Sequence, residues 1–143
     1  MSLEGNYDPD NIFAKIVRGD MPCVKVYEDA NTLGFMDVFP QSSGHMLVIH
    51  KRSKARNLLD VNPDDLAHIM NSVQKLTRAA KATLNPDGII ITQYNGAPAG
   101  QTVFHLHVHI IPRYEGDLKP HASGNMADMD ELQALATRIK AGF

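Results

Sequence analysis

Three histidines stand two residues apart in Phe104-His105-Leu106-His107-Val108-His109-Ile110-Ile111, alternating strictly with apolar residues. On a strand, residues two apart share a face, at a spacing of roughly 6.6–6.8 Å. The pattern therefore predicts His105, His107 and His109 on one side and Leu106, Val108 and Ile110 on the other. The apolar side can anchor a strand to a core. The histidine side calls for chemistry, because three imidazoles in a row do not help a core to pack. Three readings are open: a merely wet strand face, a metal set, since neutral imidazole is the commonest metal ligand, or attack on phosphorus. Neutral imidazole is nucleophilic near pH 7, and a neighbouring ring can give a proton to a leaving atom. His45 is the fourth histidine to weigh with them.

The flanks favour phosphorus. Directly upstream runs Asn95-Gly96-Ala97-Pro98-Ala99-Gly100-Gln101-Thr102. Glycine lets a backbone approach a ligand closely, and successive amides can form an anion-binding nest. Gln101 and Thr102 add uncharged donors suited to phosphate oxygens. A metal-bound histidine commonly leans on a carboxylate, and none adjoins the strand before Glu115.

The elements that must carry these residues follow from periodicity and caps. A first short helix is expected with Asp8 as its cap, Pro9 in its first turn and Gly19 at its end, with Ile12, Phe13, Ile16 and Val17 on one face. Strands are expected over 24–27, 32–38, 46–49, 89–94 and 102–112. A long helix is expected over 63–84, with Asn62 as cap and Leu66, Ile69, Met70, Val73, Leu76, Ala80 and Leu84 as a core-facing stripe. Asp128 and Glu131 suit the start of a last helix carrying Leu132, Leu135 and Ile139. Short turns between most strands predict an α+β fold, a largely antiparallel five-stranded sheet with packed helices.

The chain has 143 residues and a net charge of −2, which suits a single domain over 1–143 with a helical tail at about 126–141. Lys51, Arg52, Lys54 and Arg56 are read as a solvated loop, so neither a nucleic acid nor a membrane surface is expected as partner. Cys23 is the single cysteine, which excludes an intrachain disulfide and points to a reducing cytoplasm. The first residues lack the pattern of a secretory signal, and no apolar run reaches the ~20 residues of a membrane span.

With the histidine strand and its loop assembled, the chain resembles the histidine triad (HIT) family of nucleotide-binding proteins, in particular a bacterial branch. The resemblance runs outward through Asn95, Gly100 to Val103 and Pro112-Arg113. It also takes in Ile12-Phe13, Lys15-Ile16, Tyr27 to Asp29, Phe35 to Asp37 and Gly44 to Ile49, and so spans about 11–115. It implies a HIT-like fold, a homodimer formed through the long helix and a strand, and a set of roles. His107 would be the nucleophile that takes up a nucleotidyl group. His109 and Thr102 would meet the phosphate and leaving group, and His45 with the backbone of His105 would orient the His107 ring. Asn95, Gly100 and Gln101 would lie near the phosphate, Asp37 would accept the ribose hydroxyls, and Ile12, Phe13, Phe35 and Val38 would wall a slot for a purine base.

That branch often carries a structural zinc on a C-x-x-C pair and a later histidine, and Asn11, Ala14 and Ser53 hold those places here. No metal and no cofactor are therefore expected. His50, new to the pattern, is read as a surface strand end, and His68 and His121 as solvated. The leading function is hydrolysis at the α-phosphorus of a purine nucleoside phosphoramidate or dinucleoside polyphosphate. The alternatives are a nucleotide-binding scaffold with little turnover and a histidine-rich metal-binding protein.

Overall fold

A computed structural model describes residues 3–116 and 126–143. Its elements, in chain order, are α1 (Ile12–Arg18), β1 (Lys25–Glu28), β2 (Thr32–Met36), β3 (Met46–His50), α2 (Pro63–Leu84), β4 (Gly88–Thr92), β5 (His107–Arg113) and α3 (Met129–Lys140). The strands form one antiparallel sheet in the order β1-β2-β3-β5-β4, the α+β architecture that the turns imply.

Period-two alternation divides the core between the two faces of this sheet. Val26, Met36, Met46, Val48, Val108 and Ile110 face α2 and α3, where they meet Ile69, Val73, Leu76 and Ile139. Leu33, Phe35, Leu47 and Ile49 face the other way, toward Phe13 of α1. Register then fixes the site, because Ile49 pairs with His107 and Leu47 with His109. Both histidines therefore stand on the α1 face, level with the smaller apolar cluster. Gly34 lets the other face close up: a Cβ there would sit 2.6 Å from Cδ2 of Leu76.

Several expectations are corrected. The α1 cap is Asn11, not Asp8; Asn11 Oδ1 accepts from the backbone N–H of Phe13 and Ala14 at 3.0 and 2.9 Å. Asp8 Oδ1 instead accepts from Asp10 N, one turn too early. Gly19 closes the helix in the left-handed region, as expected. The long helix matches its expected limits, with Asn62 as cap, but its stripe is not all core. Met70 is 43% exposed and Leu66 is only half-buried, since both face outward beside β4. The histidine strand begins at His107, not at Thr102, because the preceding loop spends its hydrogen bonds on itself. His121 lies outside the described residues.

Candidate functional site

His107 is 8% exposed, and its Nδ1 lies 2.7 Å from the backbone carbonyl of His105. A carbonyl can only accept, so Nδ1 carries the proton and Nε2 presents its lone pair. Phe13 of α1 holds the ring edge-to-face, with centroids 4.8 Å apart. Burial lowers the His107 pKa, which keeps the ring neutral and nucleophilic near pH 7.

His45 and His109 form a second, coupled pair. His45 follows the β2–β3 connection, and its Nδ1 accepts from the Gln41 backbone N–H at 3.0 Å. A neutral ring in that position must carry its proton on Nε2. That N–H points at His109 Nδ1, 2.9 Å away, with Asp37 Oδ2 a more distant acceptor at 3.4 Å. His109 therefore accepts at Nδ1 and holds its own proton on Nε2, beside the His107 ring at a centroid distance of 5.0 Å. Burial, with the other rings adding to it, pushes His45 down to about 4 and His109 to about 3. Both are neutral at pH 7. His45 thus orients His109 and not His107, which differs from the expectation, because Leu47 pairs with His109 and His45 lies two residues before Leu47, on the same face.

His105 precedes β5 and is bound at its ring. Tyr7 Oη lies 2.8 Å from His105 Nδ1, and the His50 backbone faces the same ring. Burial takes its pKa down to about 4. With Tyr7 against Nδ1 and the ring 3% exposed, His105 is held in the core and not turned toward a substrate.

Asp37 lies just past β2, with Oδ1 accepting from Phe39 N at 2.8 Å. Burial raises its carboxyl to about 6, against that hydrogen bond. The loop behaves differently from an open nest. The amides of Ala99, Gly100 and Gln101 all bond to carbonyls of Gly96 and Ala97. Gln101 is 3% exposed; its Oε1 accepts from Gly96 N and its Nε2 donates to the carbonyls of Arg56 and Val103. Gln101 is therefore a brace within the loop, not a phosphate donor. Asn95 Oδ1 is likewise taken by Leu58 N and Gln93 Nε2, which leaves its Nδ2 as the donor end. Thr102 is exposed beside it. Of the four expected slot residues, Phe13 and Phe35 are buried, Val38 is half-buried and Ile12 is 43% exposed.

Among the described residues, two groups of side chains bring three ligand atoms together: Asp37, His45 and His109, and, on the other sheet face, His50, Asp65 and His68. His50 is 2% exposed, not a surface residue, because its position in β3 faces α2. Its Nε2 lies 3.2 Å from both His68 Nδ1 and Asp65 Oδ1, so His68 is a partner and not simply solvated. Yet His50 Nδ1 accepts from Arg52 N and Ser53 N, just as His45 Nδ1 accepts from Gln41 N. Each ring then keeps its proton on Nε2, the atom that would have to ligate. The donor chemistry of both groups fits hydrogen bonding and not a resident metal.

Sequence reasoning missed Tyr7 and Tyr94. Tyr94 packs edge-to-face on His109, with centroids 5.4 Å apart. Tyr7 sits in no periodic pattern or motif, and Tyr94 stands out only as the end of an expected strand, with nothing local to mark its contact with His109.

The chain is similar to known proteins in sequence and in fold. The profile described as HIT domain matches residues 18–116. An uncharacterized HIT-like protein of Methanocaldococcus jannaschii is 42% identical over 130 residues, which is 90% of this chain and 98% of that one. The adenosine 5′-monophosphoramidase of Schizosaccharomyces pombe is 43% identical over 102 residues, 71% of this chain and 73% of that one. Among solved structures, a Hit-like protein of Bartonella henselae superposes with a TM-score of 0.88 at 43% identity, covering 96% of this chain and 100% of that one.

Proposed function

Because this chain belongs to the HIT domain family, we propose that it hydrolyses a purine nucleoside phosphoramidate, or a dinucleoside polyphosphate, at the α-phosphorus, through a nucleotidyl group carried on His107. The observation that carries this is the 2.7 Å bond from His107 Nδ1 to the His105 carbonyl, which leaves Nε2 as an aimed lone pair. The name of the S. pombe relative adds the phosphoramidate as the first substrate to test.

In the proposed reaction, His107 Nε2 attacks phosphorus in line and the bond to the leaving nitrogen or oxygen breaks. His109 Nε2–H donates a hydrogen bond to that leaving atom, which takes its proton from solvent and departs as the amine or hydroxyl product, while His45 holds the neutral His109 ring in place. Water then attacks phosphorus, its proton passes to solvent, and the P–N bond to His107 breaks to release the nucleoside monophosphate. Positioning and neutral hydrogen-bond donors supply most of the rate. Asp37 accepts the ribose hydroxyls, and Ile12, Phe13, Phe35 and Val38 flank the base. Asn95 Nδ2 and Thr102 Oγ1 serve the phosphate. The reaction needs no resident metal.

We further assign a homodimer through α2 and β4. β4 is an edge strand, and Ile90, Ile91 and Met70 are each at least 40% exposed, an apolar edge that an isolated sheet would leave in water.

The test is turnover of adenosine 5′-monophosphoramidate by wild type and by single alanine variants at His45, His105, His107 and His109, with nucleoside monophosphate binding measured in parallel. His107→Ala is expected to lose several orders of magnitude in kcat while binding is kept. Retention of more than about a tenth of wild-type turnover, under ~1.4 kcal/mol of barrier, would remove His107 as nucleophile.

A further inference from the structure

The carbonyl that orients His107 belongs to a residue outside the strand ladder. β5 begins at His107, so His105 has no strand partner to fix it. Its peptide is held on one side by Leu106 N donating to the Ala55 carbonyl at 3.0 Å. The ring is held by the chain preceding α1. Asn57 Nδ2 donates to the Leu3 carbonyl at 3.0 Å, and Gly5 lies against the Arg56 guanidinium. Those contacts lay residues 3–7 along the 55–57 turn. They deliver the Tyr7 hydroxyl to His105 Nδ1 at 2.8 Å, with the two rings 5.7 Å apart. Phe13 closes the arrangement, edge-on to His105 at 6.0 Å and to His107 at 4.8 Å.

Resting on the reading of His107 as nucleophile, we propose that Tyr7 is a positioning residue for the reaction: its hydroxyl pins the His105 ring, so that the His105 carbonyl keeps His107 in the Nδ1–H form with Nε2 toward phosphorus. The hydroxyl donates to Nδ1, which selects the Nε2–H tautomer of His105. Without the hydroxyl, Nδ1 of a ring only 3% exposed loses its donor. A buried acceptor without a partner is costly enough to turn the ring or change its tautomer, and the carbonyl attached to that residue moves with it.

Tyr7→Phe removes the hydroxyl and keeps the ring. We expect kcat to fall roughly tenfold with KM within about twofold, less than the ~10²-fold that a 1 Å misplacement can cost. ¹⁵N shifts of the imidazoles are expected to show His107 as pure Nδ1–H in wild type and as a mixture in Tyr7→Phe. Ser72→Ala serves as the comparison, since it removes another neutral side-chain hydrogen bond, to Thr32 at 2.6 Å, on the far face of the sheet. It should lower stability while leaving kcat and the His107 tautomer unchanged. The proposal is overturned if Tyr7→Phe lowers only stability, with kcat within twofold of wild type and His107 still Nδ1–H. If wild type itself turns over no phosphoramidate, the enzymatic reading fails by itself, and the ring tautomers still decide the role of Tyr7.

Discussion

Acidification toward pH 5 should strongly destabilise this protein, and the histidine site sets the size of the effect. His45 and His105 stay neutral in the fold down to about 4 and His109 down to about 3, against 6.5 for a free ring. A folded-state pKa below the unfolded one gives stability that is full above pH 6.5 and is lost as pH falls toward the folded value, because the unfolded chain binds the proton first. Between pH 7 and pH 5 each ring contributes a loss of about 2 kcal/mol, so the three together reach about 5–6 kcal/mol. Asp37 works in the opposite sense: its carboxyl is raised to about 6 from 3.8, so it takes up a proton in the fold and returns about 1 kcal/mol over the same range. The net loss is about 4 kcal/mol, with His107, also lowered by burial, adding to it. Against a typical domain stability of about 5–15 kcal/mol, that brings the protein near its unfolding threshold at pH 5. Urea unfolding at pH steps from 8 to 5 measures it, and the slope near pH 5 should report about two protons taken up on unfolding. Stability that is flat or rising from pH 7 to pH 5 would refute the reasoning, since it would mean the site accepts charged imidazoles.

Gly34→Ala should destabilise the protein by about 1–3 kcal/mol, because the new Cβ falls 2.6 Å from Cδ2 of the fully buried Leu76; a lowered urea midpoint with unchanged slope is the expected record. Ile91→Glu, which places a carboxylate on the exposed apolar edge of β4, should convert a dimer of ~32 kDa into a monomer of ~16 kDa by light scattering at micromolar concentration. A wild-type protein that is already monomeric there would refute the dimer.

Much of the fold was legible because its signals are local. Helix α2 announces both its ends through Asn62, Pro63 and the Asn85-Pro86-Asp87-Gly88 turn, and strict alternation from Leu106 to Ile110 is enough to separate histidines from core. The spacing does not separate His107 from His105 and His109, and the choice of His107 as the residue to test came from the family resemblance. Cap chemistry was less decisive: Asp8 and Asn11 are both good caps, and which one ends up at the helix start depends on where α1 packs on the sheet.

The remaining features join residues far apart in the chain, and such contacts leave no periodic trace. That His45 serves His109 follows from the pairing of β3 with β5. That His50 is buried follows from its parity in β3, which turns it toward Asp65 and His68 on α2. Gln101 reads as a phosphate donor from its neighbours, yet its amide is consumed by Gly96, Arg56 and Val103. Tyr7 stands 98 residues from the ring that it holds. Sequence alone determined which residue types could do the chemistry and which strand face carries them, since both depend on chain-local geometry. Tertiary structure decided which nitrogen each ring has free, because a tautomer is set by the donor or acceptor that long-range packing puts against its other side.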